Sequence, residues 1–201
     1  MTQPAAGSIP TDVYAGDTTL FLRSPVSANN VPSSRLGAPY VGYVKWVDSS
    51  AVRYLLFGAR TLPGNMRKNE TRLLIAVDVY GTATLTLTFS TGAQSDYICT
   101  ARLIIDYTFN TVYGTINFDP TVFNQTQQFD GVFDPLTGRI SGKASFSSVN
   151  NIGIIDDSWS GRFEGAAYGP LGVNVAMLVT MTRSDGTAII GVVGWSYYAL
   201  Q

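Results

Sequence analysis

The chain has 201 residues, a formal charge of −1, 45% hydrophobic and 12% aromatic residues, and only 13% charged ones. That reads as one domain, or one domain with a small annex, with no basic field to recruit nucleic acid and no polybasic membrane anchor. It has no histidine and one cysteine, which excludes histidine-based catalytic triads, histidine metal or haem ligation, an intramolecular disulfide and thiolate zinc clusters.

No run of about 18 apolar residues exists, so no transmembrane helix is expected. The opening MTQPAAGSIPTD lacks the basic and apolar regions of a signal peptide. Either the chain is cytoplasmic or it is a mature region whose leader has been removed. The Pro/Ala/Gly/Ser-rich start resembles a tether and favours the second. Residues 1–38 read as flexible or irregular, with one short strand candidate at Thr19–Arg23.

From there the pattern is β. Glu and Lys are scarce, while Thr, Val, Ile, Tyr and Phe alternate with polar residues. Tyr40–Val47 and Arg53–Arg60 read as a hairpin turning at Asp48-Ser49-Ser50, within a short annex at 39–66. Residues 67–201 read as a meander. Its candidate strands are Arg72–Tyr80, Thr82–Phe89, Cys99–Phe109, Val112–Phe118, Phe129–Phe133, Arg139–Ser147, Trp159–Tyr168, Val173–Arg183 and Thr187–Trp195. The Tyr80-Gly81 break reads as a kink within one long strand, since glycine inside a strand marks bulges and barrel corners. About eight antiparallel strands joined by tight turns suit an up-and-down β-barrel, with a β-sandwich as the alternative. Leu85, Leu87, Phe89, Ile104 and Phe146 are the expected interior.

Candidate chemistry is sparse. Cys99 reads as a small buried hydrophobe. Asp156-Asp157 lies in a loop without a calcium-loop pattern and reads as a solvated turn. Phe118-Asp119-Pro120 and Phe133-Asp134-Pro135 read as loop punctuation. Asp78 and Asp106 sit among apolar strand residues and read as solvent-facing, with a buried ion pair to an arginine the alternative. No glycine-rich phosphate loop is present. The aromatics Tyr40, Tyr43, Trp46, Tyr54 and Phe57 fall on both faces of the first hairpin. One face is expected to pack on the barrel and the other to be offered to a partner.

Five segments in order resemble a known family. They are Leu55–Thr61 followed by Pro63; Ala101–Tyr107 with Thr111–Ile116; Gly138–Phe146; Gly161–Pro170; and Asp185-Gly186 with Gly191–Gly194. Together they resemble the β-barrel domain of transferrin-binding protein B and its relatives, over roughly residues 54–198. That family includes Gram-negative surface lipoproteins and secreted proteins, among them factor H-binding protein. In the fourth segment, Gly161, Phe163, Gly165, Tyr168, Gly169 and Pro170 match a G-x-F-x-G-x-aromatic-aromatic-G-P element, read as structural. The chain departs from the family after Pro170, where Leu171–Ala176 carries no glutamate, and the first 50 residues do not match.

The resemblance implies an eight-stranded barrel preceded by a small handle-like sheet, a place at the cell surface or in secretion, and binding of a host protein or haem through loops and handle. The expected function is therefore non-enzymatic binding by a monomer, with no catalytic residue, metal or resident cofactor. The aromatics at 40, 43, 46, 54 and 57 are the candidate binding residues. The alternative is a small-ligand barrel of lipocalin or avidin type.

Overall fold

The computed structural model describes residues 12–14, 40–47, 51–58, 60–61, 76–118, 125–148, 158–169, 172 and 174–196. Asp156, Asp157, Asp119, Pro120, Pro170 and the Thr19–Arg23 candidate lie outside them, as does the Asp78 side chain.

Among the described residues the named elements are all strands. β1 (Asp12–Tyr14), β2 (Val41–Val47) and β3 (Val52–Gly58) form a three-stranded sheet in that order. The other eight close on themselves. They are β4 (Ala76–Thr88), β5 (Gln94–Asp106), β6 (Thr111–Asn117), β7 (Gln125–Asp134), β8 (Arg139–Ser148), β9 (Trp159–Tyr168), β10 (Asn174–Arg183) and β11 (Ala188–Ser196). Each pairs antiparallel with the next, and β11 pairs with β4 to shut the barrel. The eight-stranded barrel with its N-terminal annex is thus the observed architecture. Closure removes the open edges an eight-stranded sheet would otherwise expose.

Several boundaries differ from expectation. One does not: Tyr80 and Gly81 lie inside one unbroken β4, the single long strand expected there. β5 starts at Gln94 rather than Cys99, because the turn at Thr91-Gly92 is tight and brings Gln94 opposite Thr88. β7 likewise begins early, at Gln125, where a polar run pairs with β8. The N-terminal segment contributes β1, which pairs with β2 through Tyr14 and Tyr43.

The period of two sorts each strand into an inner and an outer set. Leu85, Leu87 and Phe146 are buried inside, as expected. Two expected core residues are not. Ile104 lies between the buried Leu103 and Ile105 and so faces outward, and Phe89 lies past the end of β4, 39% exposed. The interior is filled by large side chains that meet ring to ring. Phe129 and Phe163 sit 5.5 Å apart and Phe146 and Trp159 4.9 Å apart, centroid to centroid. An eight-stranded barrel has just enough room for its own side chains.

The Gly161-x-Phe163-x-Gly165 element serves this filling. Gly161 and Gly165 stand opposite Met181 and Met177, and Phe163 lies between them opposite Val179. A Cβ on Gly165 would come within 2.7 Å of the Met177 Cα, so the methionine occupies the space the glycine leaves.

Asp134 marks a turn, as expected, and Asp106 does the same at the end of its strand. Asp106 ends β5 and its carboxylate accepts the backbone N–H groups of Thr108 and Phe109, at 2.8 and 3.0 Å. Asp134 accepts the Leu136 N–H at 2.9 Å and the Thr137 hydroxyl at 2.5 Å. Asp185 accepts the Thr187 N–H in the β10–β11 turn at 2.9 Å. These are Asx-type turns, with the side chain standing in for a backbone acceptor.

Two predictions follow from this packing. Gly165→Ala should destabilise the fold by about 1–3 kcal/mol, the usual cost of overpacking against immovable neighbours, measured by urea denaturation. The second concerns acid. The Thr137 hydroxyl first, then the Leu136 N–H, lowers the Asp134 pKa, and the Thr187 backbone N–H does most to lower that of Asp185. A carboxyl whose folded pKa is depressed stabilises the fold above its unfolded value of about 3.9, and that contribution is lost as pH falls through the folded value. Stability should therefore fall below about pH 4, and Asp134→Asn with Asp185→Asn should flatten that limb of the pH–stability curve.

Candidate functional site

The annex is held by one face. In β2 and β3 the residues directed at the barrel are Val41, Tyr43 and Lys45, cross-paired with Gly58, Leu56 and Tyr54. They meet the outer face of β9, β10 and β11. There Ala166, Tyr168, Ala176 and Val192, with the half-buried Leu178 and Ile190, form a second apolar cluster with Val41, Tyr43 and Tyr54. This stretch of barrel wall is apolar on its outside as well as its inside. That explains why β10 and β11 read as near-continuous hydrophobic runs rather than clean alternations.

Polar contacts fix the annex at both ends. At one, Lys45 is almost wholly buried and its Nζ donates to Asp96 Oδ1 at 2.5 Å. Thr86 Oγ1 donates to the same oxygen at 2.6 Å and shares a 2.8 Å hydrogen bond with the Tyr54 hydroxyl. The Lys45 ammonium also lies 5.8 Å from the Tyr54 ring centroid, within cation–π range. Asp96 is the exposed end of the chain of contacts, its side chain 62% accessible. At the other end, the Tyr40 N–H donates to the buried Asn174 Oδ1 at 2.8 Å. Thr61 donates from its N–H to the Ala167 carbonyl at 3.1 Å and from its hydroxyl to the Gly169 carbonyl at 2.9 Å. Gly169 has φ of +76°, and a Cβ there would run into the Tyr40 ring at 2.6 Å. Two reasons thus require glycine at this position. Burial pushes the Tyr168 phenol above its ordinary pKa, against an opposing pull from Arg60.

The five candidate aromatics therefore separate. Tyr43 and Tyr54 are buried between annex and barrel, with ring centroids 5.9 Å apart, and are not available to a partner. Tyr40 packs against the same cluster. Trp46 and Phe57 belong to the opposite set, with Val44, Arg53 and Leu55, and the register pairs them across the sheet as Trp46 with Arg53, Val44 with Leu55 and Gly42 with Phe57. Leu55 is 49% exposed. This outward row is the candidate binding surface. Alternation puts aromatics on both faces without telling which face turns outward, and the aliphatic Leu55 and Val44 join Trp46 and Phe57 on it.

The remaining expectations concern chemistry. Cys99 is buried and unpaired with another cysteine, and burial pushes its thiol up to about 11, so it is protonated at neutral pH. Among the described residues no group of acidic or cysteine side chains is placed to hold a metal ion.

No family model matches the chain, and no curated protein matches it in sequence. Solved structures do. Transferrin-binding protein B of Haemophilus parasuis Hp5, in a doubly substituted form, superposes with a TM-score of 0.56 at 14% identity, over 80% of this chain and 33% of its own. The isotype 1 protein of serogroup B Neisseria meningitidis gives 0.54 at 13% identity, over 78% and 32%. A variant from Actinobacillus pleuropneumoniae H49 gives 0.52 at 12% identity, over 96% and 83%. The fold is a transferrin-binding protein B-like β-barrel domain. The chain spans about a third of the length of the first two structures, and at such identities the likeness is one of fold.

The clasp at Lys45 is open to test. Asp96→Ala should cost about 1–3 kcal/mol, because it strands a buried ammonium. Lys45→Met in the same background should recover part of that loss, as read from a double-mutant cycle in urea denaturation.

Proposed function

We propose that this chain is a non-enzymatic bacterial binding protein, exposed at the cell surface or secreted. In this reading the barrel is the scaffold, and the annex with neighbouring loops is the surface that takes a host protein. One observation carries the reading. The annex sheet is fastened to the barrel through one face, and its other face carries the exposed Leu55 beside the half-buried Val44, Trp46 and Phe57. A partly exposed apolar row on a docked sheet is the kind of surface that becomes the core of an interface, where aromatic anchors contribute most of the binding energy. The filled interior supports the scaffold role and speaks against the lipocalin-like alternative. The structures with this fold are named for binding transferrin, which makes transferrin the first host protein to try; haem is the second ligand.

The test is surface plasmon resonance on immobilised transferrin, with a haemin titration beside it. Leu55→Asp and Trp46→Ala should each weaken transferrin binding tenfold or more while leaving the thermal midpoint within a few degrees of the parent. Tyr43→Ala should act in the opposite way, lowering stability by about 3 kcal/mol through the cavity it leaves. Binding that survives Leu55→Asp and Trp46→Ala together would remove the annex from the interface.

A further inference from the structure

A second site lies on the barrel wall away from the annex row. The ladder between β8 and β9 ends at Ala144 and Gly161. Yet β8 continues to Ser148 against β7, and β9 begins at Trp159 against β10. The wall therefore parts locally, and the parting is backed from inside by the Phe146–Trp159 ring pair. Beside it is an open depression of about 350 Å³ lined by Ser160, Gly161, Arg162, Thr180, Met181 and Thr182. Directly behind Met181 is Gln127, fully buried. Its amide donates to the Met181 sulfur, a weak acceptor, at 2.8 Å, and its carbonyl oxygen meets no partner among the described residues.

Two like charges meet on the wall beside the depression. Arg162 stands directly opposite Lys143 in the β8–β9 ladder, and both are exposed. Like charges at directly opposed positions repel. Asp130 flanks Lys143 on β7, and Glu164 follows Arg162 on the same face of β9. Neither carboxylate lies in ion-pair range of the two cations. On the other side Arg162 faces Thr180, and Ser160 faces Thr182. One guanidinium and three hydroxyls thus line the hollow, and the Lys143 ammonium stands one strand away, beside Arg162. A guanidinium fork recognises an oxyanion through paired N–H donors, and hydroxyls supply further donors or accept from a sugar.

We propose that this depression is an oxyanion-binding subsite. Arg162 and Lys143 take a sulfate or carboxylate group, and Ser160, Thr180 and Thr182 hold the oxygens around it. The bound anion would relieve the repulsion between the two cations. The site stands apart from the annex row and does not depend on the function proposed for it.

The experiment is a titration of the folded full chain with sodium sulfate and, separately, with a heparin-derived sulfated disaccharide. Backbone amide shifts of β8–β10 are followed at low ionic strength. Saturable shifts centred on Arg162 and Thr180 are expected, weakened at least tenfold by Arg162→Gln and diminished by added sodium chloride. The thermal midpoint of unliganded Arg162→Gln should equal or exceed that of the parent. Sulfate binding as tightly as the disaccharide identifies a free-anion site; preference for the disaccharide identifies a sugar-borne anion; either supports the proposal. It is overturned by the absence of saturable shifts with both probes, by shifts that survive Arg162→Gln combined with Lys143→Gln, or by a fall in the thermal midpoint of unliganded Arg162→Gln.

Discussion

The outside of this molecule is governed by the closure of its barrel. Once eight strands pair in a ring, only every second side chain can enter the interior, and that set is consumed in filling it. Whatever the protein does with its surroundings is written in the other set. On β5 to β8 that outer set is largely polar or scattered. On β9, β10 and β11 it includes Ala166, Ala176, Leu178, Ile190 and Val192. This second apolar surface is what the annex covers, and its position decides which face of the annex remains available.

Most of the architecture could be read from alternation and turn residues. The Thr/apolar alternation of Thr82–Phe89 and the Asp134–Gly138 turn placed their strands correctly, and Gly81 was recognisable as lying within one long strand. The failures have physical causes. Gln94–Ile98 and Gln125–Gln128 are too polar to look like strands, and they are strands because their hairpin partners leave them nowhere else to pair. Ile104 was misplaced because Leu103-Ile104-Ile105 is an unbroken apolar run. Such a run hides its phase, and only the flanking partners reveal which residue turns out.

The candidate site was legible in its location and not in its composition. The hairpin with aromatics on both faces announced that one face would pack and one would not. Deciding which required the footprint on β9–β11, some 110 to 150 residues further along the chain, and no local pattern reports it. The Lys45–Asp96 contact is of the same kind. A lone lysine in an aromatic strand carries no signature of a carboxylate on another sheet, though its isolation among apolar neighbours was itself a mark that it needed a partner.

The order of the annex and its footprint along the chain has a consequence for biogenesis. The hydrogen bond from Tyr40 to Asn174 spans 134 residues, and the apolar patch under the annex is built from β9, β10 and β11, which are synthesised well after it. The first hairpin is therefore made, and delivered wherever the chain folds, long before the surface that shields Tyr43 and Tyr54 exists. Contacts this distant in sequence form slowly, and apolar strands waiting for them are exposed to other chains. Until β9, β10 and β11 are made, the annex has no surface to dock on.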